Sequence, residues 1–300
     1  MLEKGKYFCC FGEVLWDDFP AGRLPGGAPM NVAIGLHNQG VPVRIISRIG
    51  TDALGEEIVD FITSNGCHSD WIQKDTHLGT GIVKVHATAS GANSYEIVQP
   101  VAWDAIELTP ELEELVKNSY GLVFGSLACR QDPSRSTLQR LLALAPLRIF
   151  DVNFRPPFYE RALVESLLHQ SDIAKLNDEE LAIILSWYPG APVDERGAMA
   201  YVRSKFDLRM LVVTRGAQGA ACQDAEGFHE SEGFVVQVQD TVGSGDAFLS
   251  GFLKNMFNGV PSAEALRYAC ALGALVATHK GANPVIRAEE IQSMLQPTQP

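Results

Sequence analysis

From position 108 to 214 the chain alternates short runs of Val, Ile, Leu and Phe with segments whose apolar residues recur at helical spacing. The runs 121–125, 147–151, 172–176 and 209–214 read as strands, with helices over 111–117, 133–144 and 160–168 and a further helix before 209. This pattern permits few folds. A strand without polar alternation is buried on both faces, and strands joined through helices run parallel, so a mostly parallel sheet covered on both sides is required. The beginning obeys the same rule, with a strand over 7–11, a helix over 29–37, a strand over 43–47 and a helix over 52–65. Two stretches depart from it. Segments 79–85 and 94–98 are strand-like with only the turn Ser90-Gly-Ala-Asn93 between them, which predicts a hairpin added to the main domain. Segments 220–223 and 234–237 are predicted to form an antiparallel edge.

Three hundred residues suffice for one large α/β domain with a sizeable core. The 24 basic and 36 acidic side chains leave a net charge of -12, which argues against a broad nucleic-acid surface. Six cysteines, at 9, 10, 67, 129, 222 and 270, form no CxxC pair or metal-ligand spacing. Cys9 and Cys10 are expected to be buried thiols on opposite strand faces, in a reducing, cytoplasmic setting. The first residues show no signal-type apolar region, and the most apolar late segment, 268–278, is too short to span a bilayer. Residues 297–300 are expected to fray.

In such a sheet ligands bind at the carboxyl ends of the strands. Asp17, Asp151, Asn153, Asn177 and Thr214 all fall there. The segment Asp240-Thr-Val-Gly-Ser-Gly-Asp246 adds small, permissive residues and an acid at a helix start. Backbone N–H groups at such a start can hold phosphate oxygens, and an aspartate there can take a proton from an attacking alcohol. A second segment, Gly26-Gly-Ala-Pro-Met-Asn31, lets the backbone approach a polyhydroxylated ligand and offers the Asn31 amide as donor and acceptor. Asn177 and Glu180 have the spacing of a capping box. The chain has no GxxxxGK[ST] loop, and its late Gly243-Ser-Gly245 lacks the full GxGxxG pattern, so a nicotinamide-dependent enzyme is a poor second choice.

With these motifs in this order, joined by Gly50-Thr-Asp-Ala-Leu-Gly55, Asp151-Val-Asn-Phe-Arg155 and Thr214-Arg-Gly-Ala-Gln-Gly219, the chain resembles the ribokinase-like (PfkB-type) carbohydrate kinases, bacterial fructokinases above all. The resemblance runs from Gly12 to about Ile291. It implies a single domain over 1–300 with a three-layer α/β/α ribokinase-like fold, and a small β-sheet lid drawn mainly from 14–25 and 79–104. It further implies Asp246 as catalytic base, the backbone of Gly243, Ser244 and Gly245 as anion hole, and Arg155 beside the transferred phosphate. Asp17, Gly27, Asn31 and Asn153 would meet a small neutral sugar. Asn177, Glu180, Thr214, Gly216, Gly219, His279 and Asn283 would serve ATP, with Mg²⁺ reached from Glu180 through water and K⁺ an optional ligand near Asp240. The implied reaction is phosphorylation of a sugar primary hydroxyl, D-fructose first, with ribokinase and 2-keto-3-deoxygluconate kinase as the nearest alternatives. A sugar-binding regulator that has lost turnover is the reading from a different class. A homodimer through the lid, whose apolar face needs cover, completes the expectation.

Overall fold

Successive side chains of a strand point to opposite faces, so a strand buried on both sides must be apolar at every position whose polar group finds no buried partner. The first strand, β1 (Phe8–Phe11), is buried throughout, with Cys9 and Phe11 in the core beneath one helical layer and Phe8 and Cys10 in the core beneath the other. The computed structural model describes residues 6–19, 22–87 and 93–296. After β1 these form β2 (Leu15–Phe19), β3 (Gly22–Gly26), α1 (Ala28–Asn38), β4 (Val43–Gly50), α2 (Ala53–Ser64), β5 (Ile72–Asp75), β6 (Gly81–Ala87) and β7 (Asn93–Ile97). There follow α3 (Pro110–Lys117), β8 (Gly121–Gly125), α4 (Asp132–Leu142), β9 (Arg148–Asp151), α5 (Arg161–His169), β10 (Ile173–Asn177), α6 (Asp178–Ser186) and α7 (Glu195–Lys205). The chain continues through β11 (Met210–Thr214), β12 (Ala220–Gln223), β13 (Phe228–Ser231), α8 (Ser244–Phe257), α9 (Ser262–Ala277) and α10 (Ala288–Leu295).

The main sheet has the order β13-β12-β11-β10-β9-β8-β1-β4-β5, parallel from β11 to β5 and antiparallel at β12 and β13. Residues of α3 to α7 pack on one face, and residues of α1, α2, α8 and α9 on the other. The expected three-layer α/β/α architecture is therefore present. Register decides where function can sit: Asn177 pairs with Thr214, Lys175 with Asp151, and Gly125 with Asp151, so the polar strand ends reach a single edge.

A second sheet, β3-β2-β6-β7, covers that edge. It contains the expected β6/β7 hairpin and a second antiparallel pair, β2/β3, joined by parallel pairing of β2 with β6. Buried Val83 and Val85 flank exposed Lys84, which pairs with Glu96 at 3.2 Å, so the two faces are chemically distinct. The predicted turn over 90–93 lies almost wholly outside the described residues, as do the predicted frayed end and part of the β2–β3 connection. Residues 99–104 belong to the body: Trp103 is fully enclosed, and Asp104 caps the Val101 N–H at 2.9 Å while pairing with Arg130.

One predicted edge strand is displaced. The strand following β12 is β13 at Phe228–Ser231, not 234–237. The Asp224 carboxylate accepts from the N–H groups of Glu226 and Gly227, and the Asp224 N–H donates to the Gly227 carbonyl, closing a tight hairpin that brings 228–231 directly alongside. The apolar stretch 234–238 is left to line a cavity.

Asp52 joins the main body to the second sheet. Its carboxylate caps α2 at the Gly55 N–H (2.8 Å) and accepts from both the N–H and the hydroxyl of Thr80, immediately before β6 (2.9 and 2.6 Å). Burial opposes its ionisation, but the Thr80 and Gly55 hydrogen bonds prevail and hold the carboxyl below its ordinary value. This stabilisation is therefore complete above the ordinary aspartate range and is lost as the pH falls through the lowered value. Asp52→Ala is expected to cost about 2–3 kcal/mol at neutral pH, read as a lower urea midpoint with an unchanged slope.

Candidate active site

Between the strand ends and the second sheet lies a cavity of about 790 Å³, bordered by Asp17, Asn31, Arg155, Lys175, Glu180 and Asp246 among others. A second compartment of about 310 Å³ adjoins it, with Thr214, Thr241 and Gly245 bordering both. The two differ in chemistry. The larger is rich in carboxylates, whereas the smaller is walled by Phe234, Val236, Val238, Ala274 and Ala277.

The start of α8 stands at the junction. Gly243 has φ 78°, and a Cβ there would lie 2.5 Å from the Ala282 Cα, so both dihedral and space require glycine. The Ser244 N–H is taken by the Thr241 carbonyl at 3.2 Å. Donors toward the cavity thus come from Gly245 and Asp246, whose first-turn N–H groups have no partner within a helix, while Ser244 contributes a buried hydroxyl with no protein partner. The opposite wall begins at Gly27, with φ 118° and a hypothetical Cβ only 2.4 Å from the Glu13 carbonyl, so the chain can turn into α1 only without a side chain there. One turn on, the Asn31 amide donates to the Asp246 carboxylate at 2.8 Å.

Asp246 lines the cavity but is densely surrounded. Burial, reinforced by the Asp151 carboxylate, raises its carboxyl to about 6 against the pull of Asn31, Lys175 and Arg155. Burial likewise raises Asp17 to about 6, although Arg155 opposes it. Glu13, at the end of β1, is 3% exposed and is raised to about 7 by burial, and one of its carboxylate oxygens has no protein partner.

Beneath them Lys175 donates to Asp151 at 2.8 Å, both side chains being almost completely enclosed. Burial alone would lower the lysine, but the Asp151, Glu180 and Asp246 carboxylates overcome it and hold it above its ordinary value. Glu180 and Asn177 form the expected reciprocal cap on α6, at 2.8 and 2.7 Å, and the other Glu180 oxygen accepts from the Phe154 N–H. Burial raises the Glu180 carboxyl, with Lys175 as the main opposing charge.

The structure brings Asp17, Gly27, Asn31, Asn153, Arg155, Asn177, Glu180, Thr214, Gly243, Gly245 and Asp246 to the larger cavity, and Gly216, Gly219 and Ser244 to the smaller. Two expected nucleotide contacts fall elsewhere. His279 is in the turn ending α9, where its Nδ1 lies 3.0 Å from the Leu275 carbonyl, and it borders neither compartment. Asn283 donates to the Asn31 amide oxygen at 2.8 Å and is turned away from the smaller compartment. Asp240 accepts from the Val242 N–H (3.0 Å) and the Gly281 N–H (3.1 Å), joining two loops beside the smaller compartment. Glu13 and Lys175 were not among the sequence-derived site residues. An acid directly after the first strand and a lone lysine inside the apolar run Ile173-Ala-Lys-Leu176 were the available signals.

Residues 13–288 match the family described as pfkB family carbohydrate kinase. The chain belongs to this family. Among relatives of this kinase, the Arabidopsis thaliana protein named probable fructokinase-6, chloroplastic, is 27% identical over 317 residues, covering 96% of this chain and 82% of the relative. The Xylella fastidiosa fructokinase solved with bound ATP superposes with a TM-score of 0.82 at 24% identity, over 96% of this chain and 98% of that one. A Vibrio cholerae O395 fructokinase double mutant solved with fructose, ADP and potassium gives 0.81 at 23%, over 97% and 98%.

The Lys175–Asp151 pair carries an expected outcome for this kinase. Lys175→Met leaves Asp151 enclosed without its cation and should lower stability by about 3–5 kcal/mol in urea unfolding. Adding Asp151→Asn to that variant should restore part of the loss, because the uncompensated charge is removed.

Proposed function

We propose that this kinase transfers the γ-phosphoryl group of ATP to the primary hydroxyl of a neutral sugar, with D-fructose the foremost substrate and fructose 6-phosphate the product. The observation that carries this reading is the Asp246 carboxylate, raised to about 6 at a helix start where an apolar compartment and a polar one meet. The residues fit the donor. The smaller compartment offers apolar walls for a purine, and the helix start and the buried Ser244 hydroxyl face the junction where its phosphates would lie.

On the acceptor side Asp246 receives the hydroxyl proton as the oxygen attacks phosphorus, and Asn31 holds that carboxylate in place. Asp17, Gly27 and Asn153 are assigned to the sugar. Arg155, whose charge acts on Glu13, Asp17 and Asp246, is assigned to the transferring phosphoryl oxygens. Four carboxylates, Glu13, Asp17, Glu180 and Asp246, against the two cations Arg155 and Lys175 favour an uncharged sugar over an acid such as 2-keto-3-deoxygluconate. Lid closure excludes water as a competing acceptor.

Among the described residues no three His, Cys, Asp or Glu side chains converge as a metal cage. Glu180 fits Mg²⁺ in a different way: each oxygen accepts one backbone N–H and retains a lone pair for a metal-bound water, with Asn177 beside it. Mg²⁺ would supply neutralisation of the phosphate charge. Asp240 keeps comparable capacity beside the smaller compartment, which supports an optional K⁺ there. Thr214, Gly216 and Gly219 are assigned to the nucleotide, whereas His279 and Asn283 are not. Pairing through the lid as a homodimer, and a cytoplasmic location suited to six free thiols, belong to the same proposal. No described helix is long and apolar enough to cross a membrane.

The test is ADP release with fructose, ribose and 2-keto-3-deoxygluconate, with product identification. Fructose should give the highest kcat/KM, and Asp246→Asn should lower kcat by about a thousandfold with the fold intact. Preference for ribose would overturn the sugar, and absence of sugar-dependent ADP release across a broad panel would overturn the reaction in favour of a binding protein. Because the base works deprotonated, kcat/KM should fall as the pH drops through about 6, by up to about tenfold per unit for each proton taken up. Glu13, at about 7, makes the upper part of that limb broader than a single group would.

A further inference from the structure

We infer that Asn283 is a positioning residue for the carboxylate of Asp246, acting through Asn31 in a directional chain of amide hydrogen bonds. The inference rests on the reading of Asp246 as the base. Its direction follows from chemistry and not from how the two ends of an amide are told apart. An ionised carboxylate only accepts, so the Asn31 end facing Asp246 must be Nδ2, at 2.8 Å. The end facing Asn283 is then Oδ1, which only accepts, so Asn283 must present its own Nδ2, also at 2.8 Å. The donor at Asn283 thereby fixes which way Asn31 points. Without it the Asn31 amide can turn over and set an oxygen against the carboxylate it now supports.

The segment carrying Asn283 is tied to the rest of the site at consecutive positions. The Gly281 N–H donates to the Asp240 carboxylate at 3.1 Å. Ala282 packs so closely on Gly243 that no Cβ could be fitted there. Asn283 then reaches Asn31. One strut of three residues therefore supports the Asp240 loop, the glycine at the helix start and the orientation of the base.

The charged groups acting on Asp246 are Asp151 and Lys175 from the strand ends, Arg155 from the loop after β9, and Glu13 after β1. None is altered by substitutions at 283. The experiment is a carboxyl-carbon NMR titration of protein labelled at aspartate, with the Asp246 signal assigned by its loss in Asp246→Asn. Asn283→Leu, close in size but without a donor, should raise the Asp246 midpoint by about one pH unit, and the smaller Asn283→Ala should do the same. Asn31→Leu should raise it at least as far. The double variant Asn31→Leu/Asn283→Leu should match Asn31→Leu alone, because the chain is already broken. The acid limb of kcat/KM should move with the midpoint.

A wild-type midpoint in folded Asn283→Leu and Asn283→Ala would overturn the inference, as would an equal added shift in the Asn31→Leu background. If the wild-type protein releases no ADP with any sugar, the phosphoryl-transfer reading fails. The carboxyl titration then still decides whether Asn283 sets the state of Asp246.

Discussion

Lys175 is the cation around which the floor of the site is built. A carboxylate beneath a protein surface stays charged only when opposite charge and hydrogen bonds replace the water it has lost. Lys175 reaches Asp151 directly and acts on Glu180 and Asp246 through space. With it in place, Glu180 can spend both oxygens on backbone N–H groups of α6 and the Phe154 segment, and Asp246 can border a cavity without a salt bridge of its own. The compensation is incomplete in its effect: burial and the Asp151 carboxylate still hold the Asp246 carboxyl raised to about 6.

Two helices from opposite ends of the chain converge on that carboxylate. The start of α8 presents it, and Asn31 of α1 fixes it from across the junction. Both starts depend on glycine, since Gly243 and Gly27 each lie where backbone from another segment occupies the space of a Cβ. The second sheet, attached through Asp52 and Thr80, places its strands over the same edge. Protein stability and chemical function are coupled here because the groups that shape the cavity also support the ends of the elements.

Much of this arrangement was legible in the chain. Apolar runs alternating with helical periods dictate a covered parallel sheet, and Cys9 and Cys10 fall on its opposite faces as a period of two demands. The reciprocal cap of Asn177 and Glu180 was readable from spacing alone. The displaced strand 228–231 was not, because the tight turn at Asp224 is local hydrogen-bond chemistry, while the more apolar 234–238 attracts a strand assignment. That His279 and Asn283 border neither compartment was not readable for a related reason. Their motif locates the loop but leaves open which side of it each side chain occupies.

The order of apolar periods, glycines and isolated acids by itself determined the layer architecture, the family and the helix start bearing Asp246. Those features are encoded within a few residues of one another, where steric and periodic rules act. Tertiary structure alone decided that Lys175 partners Asp151, that Glu13 borders the larger cavity, and that Asn283 points at Asn31. These pairings join residues 24, 215 and 252 positions apart in the case of Lys175–Asp151, Asn31–Asp246 and Asn31–Asn283. Strand register and helix packing bring such groups together, and charge and hydrogen-bond direction acquire their effect only once water has been excluded between them.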